Sequence, residues 1–114
     1  MQILITKYFS QQAKNLKRKF PHLKEDLIKT LKLFVPENEI HIGKSIFKIR
    51  IKSQDLNKGK AGGLRSYVYL YRQKSLIIPI CIYFKSEQEG ITEKILDFHF
   101  KKTLAEICEA NFLA

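Results

Sequence analysis

Ile46-Phe47-Lys48-Ile49-Arg50-Ile51-Lys52 is the stretch on which the fold turns. Apolar and basic side chains alternate along it with period two. Phe47, Ile49 and Ile51 share one face and Lys48, Arg50 and Lys52 the other, which predicts a half-buried strand. Working outward, Leu64 to Arg72 sets Leu64, Ser66, Val68 and Leu70 against Arg65, Tyr67, Tyr69 and Tyr71. Ser75 to Phe84 continues the pattern, with Leu76, Ile78, Ile80, Ile82 and Phe84 on one face and Cys81, Tyr83 and Lys85 on the other. Gln73-Lys74 reads as a two-residue turn between them, made without the usual glycine or asparagine. Pro79 has no N–H for the ladder, so an edge position or a bulge is expected there.

Toward the amino terminus the period changes. Met1 to Lys7 reads as a short first strand. From Ser10 the spacing is helical, with Phe9, Ala13, Leu16 and Phe20 on one stripe until Pro21 stops it. Leu23, Leu27, Leu31 and Phe34, with Ile28 beside them, predict a second helix that ends before Pro36. The two helices are expected to form an antiparallel hairpin over one face of the sheet. Thr92 is placed to cap a closing helix, with Ile95, Phe98, Ala105 and Cys108 roughly on one side. Its last six or so residues are expected to fray. The order βααβββα describes one α+β domain over residues 1–114, a small antiparallel sheet backed by helices.

Composition narrows the partner. Of 114 residues, 45% are hydrophobic and 28% charged, an ordinary globular balance, but 21 Lys+Arg against 11 Asp+Glu leave a net charge of +10. Such an excess favours polyanions, because neutralised phosphates release counterions. The longest apolar run, Leu76 to Phe84, is interrupted by Pro79 and falls far short of the roughly 20 residues that span a bilayer. Met1 to Ile5 is too short for a signal-peptide core, so a cytoplasmic location is expected. Cys81 and Cys108 belong to no metal-spacing motif and read as small hydrophobes. His22 and His41 also lack neighbours at metal spacing.

The candidate chemistry gathers around the central strands. Lys58-Gly59-Lys60-Ala61-Gly62-Gly63-Leu64-Arg65 joins two of them. A glycine pair permits positive φ and close approach to a ligand, and an arginine just beyond can offer phosphate a two-pronged donor. With the apolar faces packed under the helix pair, the opposite faces collect Lys48, Arg50, Lys52, Arg65, Tyr67, Tyr69, Tyr83 and Lys85. Cations for the backbone and rings for stacking suit single-stranded RNA. Crowded cations also lower lysine pKa values, which suits one of them to proton transfer. Gly43-Lys44-Ser45 resembles the end of a phosphate-binding loop, but Asn38 stands where the first glycine belongs, and that reading is rejected. Lys14 to Lys19 reads as the solvated side of a helix.

These pieces in this order also carry a resemblance. Phe47-Lys48-Ile49-Arg50, Gly59 to Arg65 and Tyr83-Phe84-Lys85-Ser86-Glu87 resemble the signature of RelE/HigB-type toxins of bacterial toxin–antitoxin pairs. Phe20-Pro21 between two amphipathic helices, and Asp26-Leu27, fit the same pattern, over roughly residues 9 to 95. The resemblance implies a small antiparallel sheet backed by two helices and an endoribonuclease that cuts messenger RNA in the ribosomal A site. It implies attack by the RNA 2′-hydroxyl on its own phosphate, without metal or organic cofactor, and a cognate antitoxin as partner alongside the ribosome. Carried over by position, Arg65 would stabilise the phosphorane charge, and Lys48 and Arg50 would hold the phosphate. Lys48 is the better proton-transfer group of that pair, because arginine keeps its proton. Lys85 would clamp phosphate or protonate the leaving oxygen. Lys58 and Lys60 would grip ribosomal RNA.

One departure stands out. Many relatives place a tyrosine or histidine shortly after the last strand, whereas Glu89-Gly90-Ile91 offers neither. Tyr83 lies before that point, and His99, on the closing helix, remains a secondary candidate. Two other readings fit the same residues: a ParE-like inhibitor of DNA gyrase, which lacks cleavage chemistry, and a non-catalytic RNA-binding module. Convergent cations at Lys48, Arg50, Arg65 and Lys85 weigh against the first, since a protein-binding inhibitor needs no phosphate clamps.

Overall fold

The alternating runs pair side by side. The computed structural model describes residues 1–56 and 63–110. Its strands are β1 (Gln2–Ile3), β2 (Ile40–Gly43), β3 (Ile46–Ile51), β4 (Leu64–Tyr71) and β5 (Leu76–Phe84), in one sheet of order β1-β5-β4-β3-β2. With helices α1 (Lys7–Lys14), α2 (Leu23–Lys32) and α3 (Glu93–Glu109) they make an α+β domain.

The sheet is mixed rather than antiparallel. β1 lies parallel to β5, held by Gln2 N–H to Ser75 O at 2.9 Å and Leu4 N–H to Ile77 O at 3.0 Å. β2 is the element the sequence did not announce. Its four residues are too few to show a period, and it pairs antiparallel with β3 along the opposite edge. The turn between them is Lys44-Ser45, with φ of 53° and 60° after Gly43 at 105°. Two successive positive φ values match the right-handed twist of the strands, which is why a tight hairpin adopts them. Gly43-Lys44-Ser45 is thus hairpin geometry.

The first helix is shorter than its apolar stripe. α1 ends at Lys14, and residues 15–19 continue as turns, with Leu16 N–H to Ala13 O at 3.0 Å and Phe20 N–H to Leu16 O at 3.0 Å. Asn15 is a poor helix former, and Lys14 and Arg18 at i, i+4 repel. Phe20 still reaches the core. It packs with Phe9, Leu23, Leu27 and Leu31 against Phe47, Ile49, Ile51, Leu64, Val68 and Leu70. The helix pair therefore covers the expected face of β3 and β4.

The expected face of β5 needs correction. Opposite Tyr67 and Val68 the ladder skips Ile80, pairing Tyr67 with Cys81 and Val68 with Pro79. This is the bulge that Pro79 foreshadowed, and it shifts the phase of the strand. Leu76 and Ile78 lie on one face with Ile107, while Ile77, Ile82 and Phe84 join the core under α1 and α2.

The opposite face is also covered, contrary to the open surface expected from sequence. α3 lies across it, packing Leu96 and Phe100 with Ile46, Tyr67, Cys81 and Tyr83. Thr92 caps it as anticipated, its hydroxyl accepting from Ile95 N–H at 3.1 Å. Glu106 of α3 reaches α1 and accepts from the Lys7 and Tyr8 N–H groups at 2.6 and 3.0 Å. A carboxylate there satisfies two orphan donors and meets the positive end of the helix dipole.

Two acidic side chains fasten α2 to the segment that follows β3. Asp26, buried, accepts from Gln54 N–H at 3.0 Å and Gln54 Nε2 at 2.8 Å. Asp55 accepts from His22 N–H at 2.9 Å and meets His22 Nδ1 at 2.7 Å. The hydrogen bond to Asp55 raises the His22 pKa from its ordinary 6.5 and lowers that of Asp55 from 3.8. The raised His22 contributes stability below its unfolded value, lost as pH rises through the folded one. The depressed Asp55 contributes above its unfolded value, lost as pH falls through the folded one. The stability difference between wild type and Asp55→Asn is therefore largest between about pH 4 and 6.5 and shrinks on both sides. Urea midpoints across pH 3–8 check this, and a flat difference would remove the pair from the folded state.

Candidate functional site

Strand register assembles the site. Arg50 on β3 lies directly opposite Arg65 on β4, and Arg65 lies directly opposite Tyr83 on β5. Directly opposed residues put their Cβ atoms about 4.5–5.5 Å apart on the same face. Arg50, Arg65 and Tyr83 thus form one row, on the face that α3 covers elsewhere. The next row toward α3 is Lys48, Tyr67 and Cys81. Lys85 follows β5, its N–H donating to Gly63 O at 2.9 Å, and Lys52 follows β3; both are exposed.

Arg65 is the unusual member. It is 6% exposed, and its guanidinium donates from Nη1 to Leu64 O at 3.3 Å. Among the described residues it has no carboxylate partner, the ion pairs there being Lys19–Glu87, His22–Asp55 and Lys101–Asp97. Burial lowers its pKa, and the charge of Arg50 lowers it further. Arginine nonetheless stays protonated. A buried cation held beside a second cation is costly unless an anion completes it.

Gly63 makes room for that guanidinium. Its φ is +135°, and a Cβ there would meet Arg65 Nη1 at 3.2 Å and Leu56 Cδ1 at 3.5 Å. The second glycine of the pair is therefore required by both backbone conformation and side-chain space. Gly62, Lys58 and Lys60 lie outside the described residues.

The tyrosines do not form the open stacking platform expected of them. Tyr67 is 7% and Tyr83 5% exposed, and Tyr69 is half-buried, edge-on to Phe100 with ring centroids 5.1 Å apart. α3 occupies the space the bases would have used. Tyr83 instead contributes a buried hydroxyl. Its one polar neighbour among the described residues is the Tyr67 hydroxyl, which lies within hydrogen-bonding influence though outside strict hydrogen-bond geometry. Burial raises the pKa of Tyr67 and of Tyr83, so both remain neutral donors near pH 7. Lys48 is half-buried, its Nζ 6.0 Å from the Tyr67 ring centroid. The Cys81 thiol is pushed up to about 12 by burial, which leaves it inert.

His99 stands apart from this row. Its Nδ1 meets the Tyr8 hydroxyl at 2.5 Å across the contact between α3 and α1, and burial lowers its pKa. Sequence reading kept it as a candidate because no histidine or tyrosine followed the last strand; the fold uses it to join two helices. The features it did not find are the hydroxyl of Tyr83 as a donor and Asp26 and Asp55 as anchors. Ladder register and contacts between distant segments created those.

A cationic, donor-rich row, buried at Arg65 and Tyr83 and exposed at Arg50, can hold an oxyanion. Two guanidinium groups and a neutral hydroxyl share it, at the end of the sheet beyond the start of α3. No family model matches the chain, and no curated protein matches its sequence. Among solved structures it is similar to that of a double mutant of the E. coli toxin RelE in the free state, at 15% identity and a TM-score of 0.47. That similarity covers 77% of this chain and 86% of the other.

Removing an uncompensated buried charge while keeping an unbranched apolar stem should stabilise the fold. Arg65→Met is expected to raise stability by about 1–3 kcal/mol, read from urea unfolding. A loss as large as that of a core truncation would make the guanidinium a structural group and refute an anion site.

Proposed function

We propose that this protein is the toxin of a type II toxin–antitoxin pair, a metal-independent endoribonuclease that cuts messenger RNA in the ribosomal A site. The observation that carries the reading is buried Arg65, set between Arg50 and the buried Tyr83 with no carboxylate against it among the described residues. The sequence resemblance of Phe47–Arg50, Gly59–Arg65 and Tyr83–Glu87 to RelE/HigB-type toxins supports it. So does the net charge of +10, which suits a surface that meets ribosomal RNA.

The chemistry needs charge stabilisation above all. The 2′-oxygen of one nucleotide attacks the adjacent phosphorus, its proton passing to a base. The bond to the 5′-oxygen of the next nucleotide breaks as that oxygen receives a proton. The products are a 2′,3′-cyclic phosphate and a free 5′-hydroxyl. Between the two events the phosphorane carries extra negative charge on its non-bridging oxygens. Arg65 and Arg50 are placed to neutralise that charge, and the neutral Tyr83 hydroxyl to donate to it. Donors fixed in a water-poor site are worth more than the same donors in water. Lys48, beside Tyr67, is assigned as the group that accepts the 2′-proton, and Lys85, at the open end of β5, as a clamp or the proton donor to the leaving oxygen.

An acidic antitoxin would cover the same row, because charge complementarity speeds association and hides the cations from RNA. Lys52, with Lys58 and Lys60 by their sequence position, would meet ribosomal RNA, and a cytoplasmic location follows from that partner.

Cleavage of a defined messenger RNA, with and without programmed ribosomes, tests the proposal. Wild type is expected to cut only with ribosomes, and Arg65→Ala to lose about 10²–10³ in rate. Equal rates for the two proteins would take Arg65 out of the mechanism. Absence of cutting by wild type, with inhibition of gyrase supercoiling in its place, would replace the ribonuclease with the ParE-like reading.

A further inference from the structure

Beside the cationic row lies a groove of about 1120 Å³, between the β2–β3 hairpin and the first turns of α3. Ile46, Tyr67, Leu96 and Phe100 line it with apolar and aromatic surface, Glu93 and Asp97 add carboxylates from successive turns of α3, and the exposed Lys44 and Lys94 complete its polar lining. Tyr67 joins the groove to the row: it lines the groove, pairs with Lys48 across the ladder, and sits two residues from Arg65 on the same face. Two residues along a strand span about 6.6 Å, the scale of the step from a phosphate to its own base.

We infer that this groove is a nucleobase slot, and that it selects bases carrying an amino group. The inference rests on the RNA-cleaving reading and adds a specificity to it. A phosphate held by Arg50 and Arg65 directs its nucleoside toward Tyr67. The apolar walls then receive the ring, and Glu93 and Asp97 receive its polar edge. A carboxylate only accepts hydrogen bonds. It therefore favours the exocyclic amino groups of adenine, cytosine and guanine, as carboxylates do when they read cytosine N4 in DNA. Uracil presents carbonyl oxygens at its edge flanking a single N–H, and these repel a carboxylate. Asp97 also pairs with Lys101 at 3.0 Å. That holds its charge on the helix without consuming all of its acceptor sites.

The slot differs from the surface expected from sequence. Stacking on an open tyrosine face would be indifferent to base identity. A walled groove with two acceptors is not.

Calorimetric titration of the full chain with 2′-O-methyl AAA, CCC and UUU trinucleotides, which cannot be cut, tests the inference. Adenine and cytosine trimers are expected to bind on the order of tenfold more tightly than the uracil trimer. Glu93→Gln/Asp97→Asn, at exposed or half-exposed positions, should remove that preference, and Arg65→Ala should weaken all three equally. Equal binding of the three trimers to wild type, or a preference that survives the double variant, would overturn the slot while leaving the cationic row intact. Absence of any Arg65-dependent binding would overturn both the slot and the ribonuclease reading.

Discussion

The structure depends on a one-residue slip in the ladder between β4 and β5. Pro79 has no N–H to give, and the strand answers by leaving Ile80 out of the pairing. Side chains alternate with period two, so a single unpaired residue sends everything after it to the other face. Without the slip Arg65 would oppose Ile82, and Tyr83 would point into the core under α1 and α2. With it, Cys81 and Tyr83 turn toward α3, and Ile82 and Phe84 turn inward. The candidate site is thus a product of backbone hydrogen bonding at Pro79, a residue that takes no part in the site itself.

A second constraint follows from covering both faces. A sheet with helices on each side leaves little free surface, and α3 could have closed this one completely. It leaves Arg50 exposed at one end of the Arg50–Arg65–Tyr83 row, while Tyr83 at the other end packs in the cluster of Leu96. α3 is held in that position from its middle and its far end. Ile107 packs on Leu76 and Ile78, Glu106 binds the start of α1, and His99 meets Tyr8. Firm attachment of α3 with an exposed arginine at the end of the row is how a small domain keeps a cationic edge without losing its core.

Much of this was legible in the sequence, for reasons that also explain what was not. β3 and β4 were readable because one face is apolar and the other polar, which is what period two reports. α2 was readable for the same reason at period 3.6. β2 was invisible because four residues with a histidine between two isoleucines carry too little pattern. The parallel seat of β1 was hidden because strand direction is fixed by where the chain crosses, not by local composition. The cations at Lys48, Arg50, Arg65 and Lys85 were identifiable by type and spacing. The tyrosines were misjudged: a tyrosine on the polar face of a strand reads as exposed, yet it also packs well under a helix with its hydroxyl at the rim. Period two says which side a residue takes, not what covers that side.

The remaining question is why a protein of this size keeps a buried arginine beside another arginine and a buried hydroxyl whose one polar neighbour is a second tyrosine hydroxyl. Each costs stability, and a methionine and a phenylalanine would fill the same space at lower cost. Gly63 adds to the cost, since it holds a φ that side chains disfavour and loses more entropy on folding than other residues would. Three unfavourable choices at one point in the fold do not offset one another by packing alone. They do offset one another if an oxyanion enters, because it pairs both cations and accepts from the hydroxyl, while the missing Cβ of Gly63 leaves the Arg65 guanidinium its place. Charge, donor and the glycine that seats the guanidinium are then parts of one device. Its energetic balance closes in the bound state, and the strain of the free state becomes a measure of how strongly that state is favoured.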